Sequence, residues 1–337
     1  MISVKKNIIK LFLSILRLFP PEISSKLSLS IIKFFHDNDL KFLNPHLKTS
    51  QLSQVSTVGL KFKNILGLSA GIDKTGKYYN SLCSLGFSFI EIGTFTPSAQ
   101  SGNAHPRIKR LSEQNSLINR LGFNNPGILE GVSNIQKNKK NFKGILGVSI
   151  GKNKDTKLED AYKDYVFCMH KCFDSSDYIA INISSPNTKD LRMLSSDDYI
   201  EDLTSHINKE KKKLEKIHNR KVPLLLKLSP DEQLENLEKI IASSLSNDFS
   251  GFIISNTTHG NYQGISGGIS GEYLKKKANR MLKNVNQMVE DDTLMIASGG
   301  ISEKKDIEER LDNGAKLIQI YTSFVYKGPQ IIEDLLN

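Results

Sequence analysis

The residues of this chain best suited to chemistry stand at or just after short apolar runs, and they are hydroxyls, amides and two lysines. Ala70-Gly71-Ile72-Asp73-Lys74 closes one run, Thr94 and Ser149 fall in two others, and Asn182 with Ser184-Ser185 closes a fourth. Lys227 with Ser229, Asn256-Thr257-Thr258, Gly299-Gly300 and Tyr321-Thr322 complete the series. Brought together, these groups would surround a polar molecule of some size, because burying so much polarity without a ligand is costly. Gly299-Gly300 and Tyr321-Thr322 suit a phosphate: glycine lets the backbone approach, and amide N–H groups then meet the phosphate oxygens. Gly267-Gly268-Ile269-Ser270-Gly271 reads as a further glycine-rich turn. No GxGxxG opens a helix after a first strand, which disfavours a dinucleotide site and favours a mononucleotide such as FMN.

The elements that must position these groups repeat one theme, a β-rich apolar run followed by a polar helical stretch. The runs are Ile65–Ala70, Phe89–Thr94, Ile145–Ile150, Tyr178–Ile183, Pro223–Leu228, Gly251–Ser255, Leu294–Ser298 and Leu317–Tyr321. Near-continuous apolar strands alternating with helices indicate a parallel sheet covered on both faces. Eight such units predict an α/β fold of the (β/α)8 TIM-barrel kind, with an open doubly wound sheet as the other reading. In a barrel the polar run-ends gather at one mouth, at the C-terminal ends of the strands. The connection from Phe95 to Lys143 is far longer than a helix needs, which marks a functional loop.

A chain of 337 residues with 38% hydrophobic content and 16 Phe can build one large core, and its composition excludes wholesale disorder. The net charge of +10 fits nucleic acid, an anionic membrane or simply a lysine-rich solvated surface. The run Lys209–Lys221 (KEKKKLEKIHNRK) reads as an exposed helix without aromatic residues to stack bases, so no nucleic-acid partner is expected. Cys83, Cys168 and Cys172 form no CxxC pair, so no metal site is expected and the last two read as core packing. Scarce cysteine fits a reducing, cytoplasm-facing setting.

Residues 1–45 differ from the barrel segment, 46–337. From Met1 to Phe35, six basic residues stand against one acid, Glu22, with apolar residues between them and a break at Pro20-Pro21. A membrane-spanning helix needs about 20 mostly apolar residues, and Lys10 and Arg17 interrupt a shorter stretch. The same charges argue against a signal peptide. What remains is an amphipathic helical hairpin, lying in a bilayer interface or packed on its own protein.

Family-level resemblance enters at Asn119-Arg120-Leu121-Gly122-Phe123-Asn124-Asn125 and at Ile181-Asn182-Ile183-Ser184-Ser185-Pro186-Asn187-Thr188. With Ala70–Lys74, Gly151-Lys152-Asn153-Lys154, Ser255–Thr258 and Gln319-Ile320-Tyr321, these segments resemble the quinone-linked (class 2) dihydroorotate dehydrogenases, in order and spacing from about Leu60 to Gly328. The resemblance implies oxidation of dihydroorotate to orotate in pyrimidine biosynthesis, with one non-covalent FMN as hydride acceptor and a membrane quinone as final acceptor. Ser185 would be the base, with Thr188 and Phe123 shaping its proton relay. Asn119, Arg120, Leu121, Gly122, Phe123, Asn182, Asn187, Asn256, Thr257 and Lys74 would hold the pyrimidine. Ala70, Gly71, Ile72, Asp73, Lys74, Thr94, Ser149, Asn182, Lys227, Ser255, Gly271, Gly300, Tyr321 and Thr322 would hold the flavin. Arg110 and Tyr321 would line the quinone path, whose mouth the N-terminal helices form. A monomer, attached peripherally to an anionic membrane at the cytoplasmic face of the cell (inner) membrane, is the corresponding expectation.

Two departures stand out. Ser149 occupies a place where the family usually has asparagine on the flavin; its shorter hydroxyl implies that this contact is lost or bridged by water. The segment His259–Ile265 is shorter than usual and bears on how the site closes. Competing assignments are a tRNA-modifying flavoenzyme and a non-catalytic flavoprotein on a membrane surface. The first would want a cysteine at a strand end, and none stands there; Ser185, Lys74 and the amide set speak against the second.

Overall fold

The structure, a computed structural model, describes residues 2–47, 53–188 and 190–337. Eight parallel strands close a barrel: β1 (Leu66–Leu68), β2 (Phe89–Phe95), β3 (Ile145–Ile150), β4 (Tyr178–Asn182), β5 (Leu224–Lys227), β6 (Gly251–Ile254), β7 (Leu294–Ser298) and β8 (Leu317–Ile320). Each strand pairs with the next in sequence, and β8 returns to β1 through Ile318↔Leu66 and Ile320↔Leu68. Alternate side chains face opposite ways, so every strand serves two cores. Leu66, Leu68, Ile90, Ile92, Ile179 and Ile181 pack outward under the helices, whereas Phe89, Tyr178, Leu225, Ile253, Leu294 and Leu317 fill the barrel.

The barrel interior is filled by rings that glycines admit. A Cβ on Gly67 would lie 2.4 Å from the Phe89 ring, and one on Gly147 would lie 2.1 Å from Tyr178. Below them an antiparallel hairpin, Val55–Thr57 with Leu60–Phe62, closes the floor and sets Phe62 edge-on to Phe89. Helix Ala161–Cys172 shows the outer logic: Ala161, Tyr165, Cys168, Met169 and Cys172 form one buried stripe. Both helical cysteines are therefore packing groups.

Above the mouth, strands Thr258–Tyr262, Ile265–Gly271, Ser116–Asn119 and Ile108–Leu111 form a four-stranded antiparallel sheet. The long connection after β2 thus supplies half of a cover. Helices α1 (Ile2–Leu16) and α2 (Pro21–Asp37) form the expected hairpin beside it. Ile9, Leu16, Leu29 and Ile32 are buried, but Leu11 and Leu18 remain 64% and 83% exposed. No helix of the described residues is long and apolar enough to cross a membrane.

Several sequence expectations require correction. Five of the eight runs are trimmed at one or both ends, as where β1 ends at Leu68 and the next two residues, Ser69 and Ala70, line the mouth, and β2 extends one residue to Phe95. Gly267–Gly271 is strand rather than turn; its glycines are small because a Cβ on Gly267 would meet the Asn119 carbonyl at 2.3 Å and one on Gly268 the Thr257 hydroxyl at 2.1 Å. The tight turn of that hairpin is instead Gln263-Gly264, both at positive φ, as a two-residue hairpin loop requires. Within the basic run, Lys211 turns inward and donates to the Asp248 carbonyl at 3.0 Å.

The close ring-to-glycine packing sets a measurable cost. Gly147→Ala should lower stability by about 1–3 kcal/mol through overpacking against Tyr178, read from urea unfolding; an unchanged midpoint would show slack in the barrel.

Candidate active site

The floor of the mouth is a buried ion pair. Lys227 on β5 donates to Glu91 on β2 at 3.0 Å, and both side chains are buried. Tyr178 and Gln319 donate to the other carboxylate oxygen at 3.1 and 2.9 Å. Burial, with the Glu91 carboxylate beside it, pushes the Tyr178 phenol well up, so Tyr178 stays a donor. Ser69 reaches both Ser298 and Gln319 at 3.2 Å, joining β1, β7 and β8 in one polar layer. The alternation that buries Phe89 points Glu91 inward two residues later.

Over this floor lies a cavity of about 580 Å³. The structure brings Ala70, Gly71, Lys74, Thr94, Asn119, Leu121, Gly122, Phe123, Asn182, Ser185, Asn187, Lys227, Ser255, Asn256, Thr257, Gly271, Gly300, Tyr321 and Thr322 to its lining. The amides support one another. Asn187 donates to Asn119 at 3.0 Å, Asn119 to the Gly268 carbonyl at 3.2 Å, and Asn256 to Ser184 at 3.0 Å. Asn182 donates to Thr94 at 2.9 Å. Ser185 Oγ accepts the Asn187 backbone N–H at 3.3 Å, which fixes its place in the turn.

Five of the expected site residues lie elsewhere. Ser149 is fully buried behind Thr94, 2.9 Å from its hydroxyl. The Asp73 carboxylate is consumed by the backbone N–H groups of Thr75, Gly76, Lys77 and Tyr78, so it shapes the loop that presents Lys74. Ile72 faces the second cavity described below. Arg120 turns toward the Ala104 carbonyl, and Thr188 is buried with its hydroxyl unpartnered among the described residues.

A second, more apolar cavity of about 890 Å³ runs between the hairpin and the barrel. The two linings have seven residues in common, Lys74, Asn119 and Tyr321 among them, so the two spaces meet there. Ile9, Phe12, Leu13, Leu29 and Phe35 line the hairpin side of the second. Arg110 clamps the turn between the helices, donating to the carbonyls of Arg17 and Phe19 at 3.2 and 3.0 Å and to Ser24 at 2.8 Å. Glu22 on α2 accepts from Arg107 at 2.9 Å and pairs with His105 at 2.7 Å. Burial pushes the Lys74 ammonium down to about 8, against the upward pull of Glu22 and Asp73; Arg107 adds to the fall.

A network that sequence reasoning missed holds the two substrate-side loops together. Arg192 donates to the Ser184 carbonyl at 3.2 Å, to the Thr257 carbonyl at 3.0 Å and to Asp231 at 2.7 Å. Asp231 also accepts from the His259 N–H at 2.7 Å, from Thr258 and from Lys277. Nothing local in the sequence marks these residues. Glu91, by contrast, carried a signal: a lone acid inside an apolar strand, matched by a lone lysine in β5.

A family model described as dihydroorotate dehydrogenase matches residues 52–337. A Legionella pneumophila protein named dihydroorotate dehydrogenase (quinone) is 42% identical over 290 residues, covering 84% of this chain and 86% of its own. A Wigglesworthia glossinidia brevipalpis protein of the same name is 43% identical over 320 residues, covering 92% and 94%. Among solved structures, the DHODH of Eimeria tenella in complex with ferulenol aligns with a TM-score of 0.82 at 30% identity, covering 92% of this chain and 89% of that one.

The Asp231 hub makes a pH-dependent prediction. Burial opposes its charge, but the hydrogen bonds from Lys277, Thr258, His259 and Arg192 outweigh it and hold the carboxyl at about 2. A carboxyl depressed on folding stabilises the native state above its unfolded value of about 3.9, and that contribution is lost as pH falls through the folded value. Asp231→Asn should therefore be less stable than wild type near neutral pH, with the gap closing between about pH 4 and about pH 2. Urea unfolding across that range checks it; a constant gap would mean the charge contributes nothing.

Proposed function

Because the chain belongs to the dihydroorotate dehydrogenase family, we propose that it oxidises dihydroorotate to orotate in pyrimidine biosynthesis and delivers the electrons to a membrane quinone. One observation carries this reading: a polar, amide-lined cavity meets an apolar cavity under an amphipathic hairpin, at Lys74, Asn119 and Tyr321. A pyrimidine and a lipid-soluble acceptor need those two different surroundings.

Members of this family depend on flavin, and the finer reading is one non-covalent FMN per chain in the first cavity. Its size suits a bound cofactor, since such sites commonly span about 300–1,000 Å³. The residues present fit the group. Lys227 Nζ stands at the floor, Gly271, Gly299 and Gly300 line the far end, and the buried Ser323 hydroxyl there has no partner among the described residues. When bound, FMN would supply the hydride acceptor. Lys227 would offset negative charge growing on the flavin ring, a role suited to a preorganised cation in a dry site. Ala70, Gly71, Thr94, Ser255, Tyr321 and Thr322 would complete its walls.

Dihydroorotate must lose a proton from one ring carbon and a hydride from its neighbour, so base and flavin must face the same ring. Ser185 would take the proton, with Thr188 receiving it and Phe123 shielding the path. Asn119, Asn182, Asn187 and Asn256 would orient the ring, because amides match a molecule presenting donors and acceptors together. Lys74, lowered by burial to about 8 and so still mostly charged at neutral pH, would neutralise the substrate carboxylate. Arg110 and Tyr321 would border the quinone path. The hairpin would rest on an anionic membrane at the cytoplasmic face through exposed Leu11, Leu18, Lys10 and Lys26.

Ser185→Ala should slow reduction of the bound flavin by dihydroorotate by about 10²–10⁴ while leaving orotate binding near wild type. Stopped-flow bleaching of the flavin band reads both; wild-type reduction would move the base elsewhere. In Leu11→Glu/Leu18→Glu, co-sedimentation with anionic vesicles and reoxidation by long-chain quinone should fall about tenfold or more, from the lost apolar burial. Reoxidation by a small soluble acceptor should not change. Equal losses with both acceptors would assign these leucines to folding instead.

A further inference from the structure

Arg310 lies on helix Lys304–Asp312, outside the cavity lining, and is 1% exposed. Its Nη2 donates to the Gly299 carbonyl at 3.1 Å and to the Lys275 carbonyl at 2.9 Å. Nε and Nη1 have no partner among the described residues. The two acids of its own helix that act on it electrostatically, Glu309 and Asp306, are both engaged elsewhere: Glu309 accepts from Asn279, and Asp306 pairs with Lys275 at 2.5 Å and accepts the N–H groups of Ser302 and Glu303. A buried guanidinium without a carboxylate against it is costly and calls for an anion nearby.

The turn it grips has one orientation to offer. Gly299 and Gly300 both sit at positive φ, and a Cβ on Gly300 would lie 2.4 Å from Lys275 Cα, so the turn is pressed against the start of helix Lys275–Asn286. In a trans peptide the carbonyl and the following N–H point in opposite directions. With the Gly299 carbonyl turned back to Arg310, the Gly300 N–H is aimed away from it, and Gly300 itself lines the cavity. The Gly300 N–H has no acceptor among the described residues. Donation from a cation also polarises that peptide, which makes the outward N–H a stronger donor.

We infer that Arg310 is a positioning residue for the phosphate end of the cofactor: it fixes the Gly299–Gly300 peptide with its N–H toward the phosphate and supplies the buried positive charge behind it. This rests on the FMN reading above. An arginine that only packs its helix would support every flavin equally, whereas this role touches flavins only through their phosphate.

The test compares FMN with riboflavin, which lacks the phosphate, by fluorescence titration of flavin-stripped protein. Wild type should bind FMN far more tightly than riboflavin. Arg310→Gln, which removes the charge, should weaken FMN by about 10–100-fold, the range for a hydrogen bond to a charged group. Riboflavin affinity should stay within about threefold. Arg310→Lys, which retains a buried cation, should keep most of the preference, and it carries the test if Arg310→Gln does not fold. Equal weakening of both flavins, an unchanged ratio in Arg310→Gln, or a loss in Arg310→Lys as complete as in Arg310→Gln would each overturn the proposal. A wild-type protein with no preference for FMN would instead sink the FMN reading itself.

Discussion

The pair Glu91–Lys227 is the constraint around which the rest of the barrel is arranged. Taking two charges out of water costs several kcal/mol per ion, and a hydrophobic pair of similar volume is often as stable or more so. The barrel meets that cost with geometry: Tyr178 and Gln319 each donate to the carboxylate that holds Lys227. Three of these four residues come from strands that neither precede nor follow one another, so the layer exists only once the barrel has closed. Its value lies in presenting a fixed cation upward, toward the proposed flavin ring, with the apolar layer of Phe89, Leu225 and Leu317 sealing it below.

From that layer upward, each level relies on the one beneath. The strand ends carry the amides, the Arg192–Asp231 network ties the loops after β4 and β6, and the antiparallel sheet brings Asn119 down onto Asn187. The hairpin then adds a second environment against the first, so one short row of side chains borders both water-like and oil-like space.

Much of this was legible in the sequence, and the reasons for what was not are physical. Eight β-rich runs with polar ends suffice for a barrel and its mouth, because strand period and strand direction are local properties. The glycine stretch Gly267–Gly271 misled, since its glycines answer to a neighbouring strand rather than to a turn. Asp73 looked like a ligand group but serves its own backbone, and Ser149 points inward yet stops behind Thr94. Arg192, Asp231 and Arg310 act through contacts with carbonyls and loops far away in the chain, and no spacing rule reveals such partners.

The glycines opposite Phe89 and Tyr178 have a consequence for how this sequence can drift. Each ring occupies space that a neighbouring strand has vacated, so the two positions of a pair can change only in concert: a larger residue at one demands a smaller one at the other. For Gly67 and Phe89 that exchange is open, because only volume is at stake. For Gly147 and Tyr178 it is closed, because the phenol is also bound to Glu91. Covariation should therefore appear at the first pair and be silent at the second, where rigidity of the polar layer has frozen both partners.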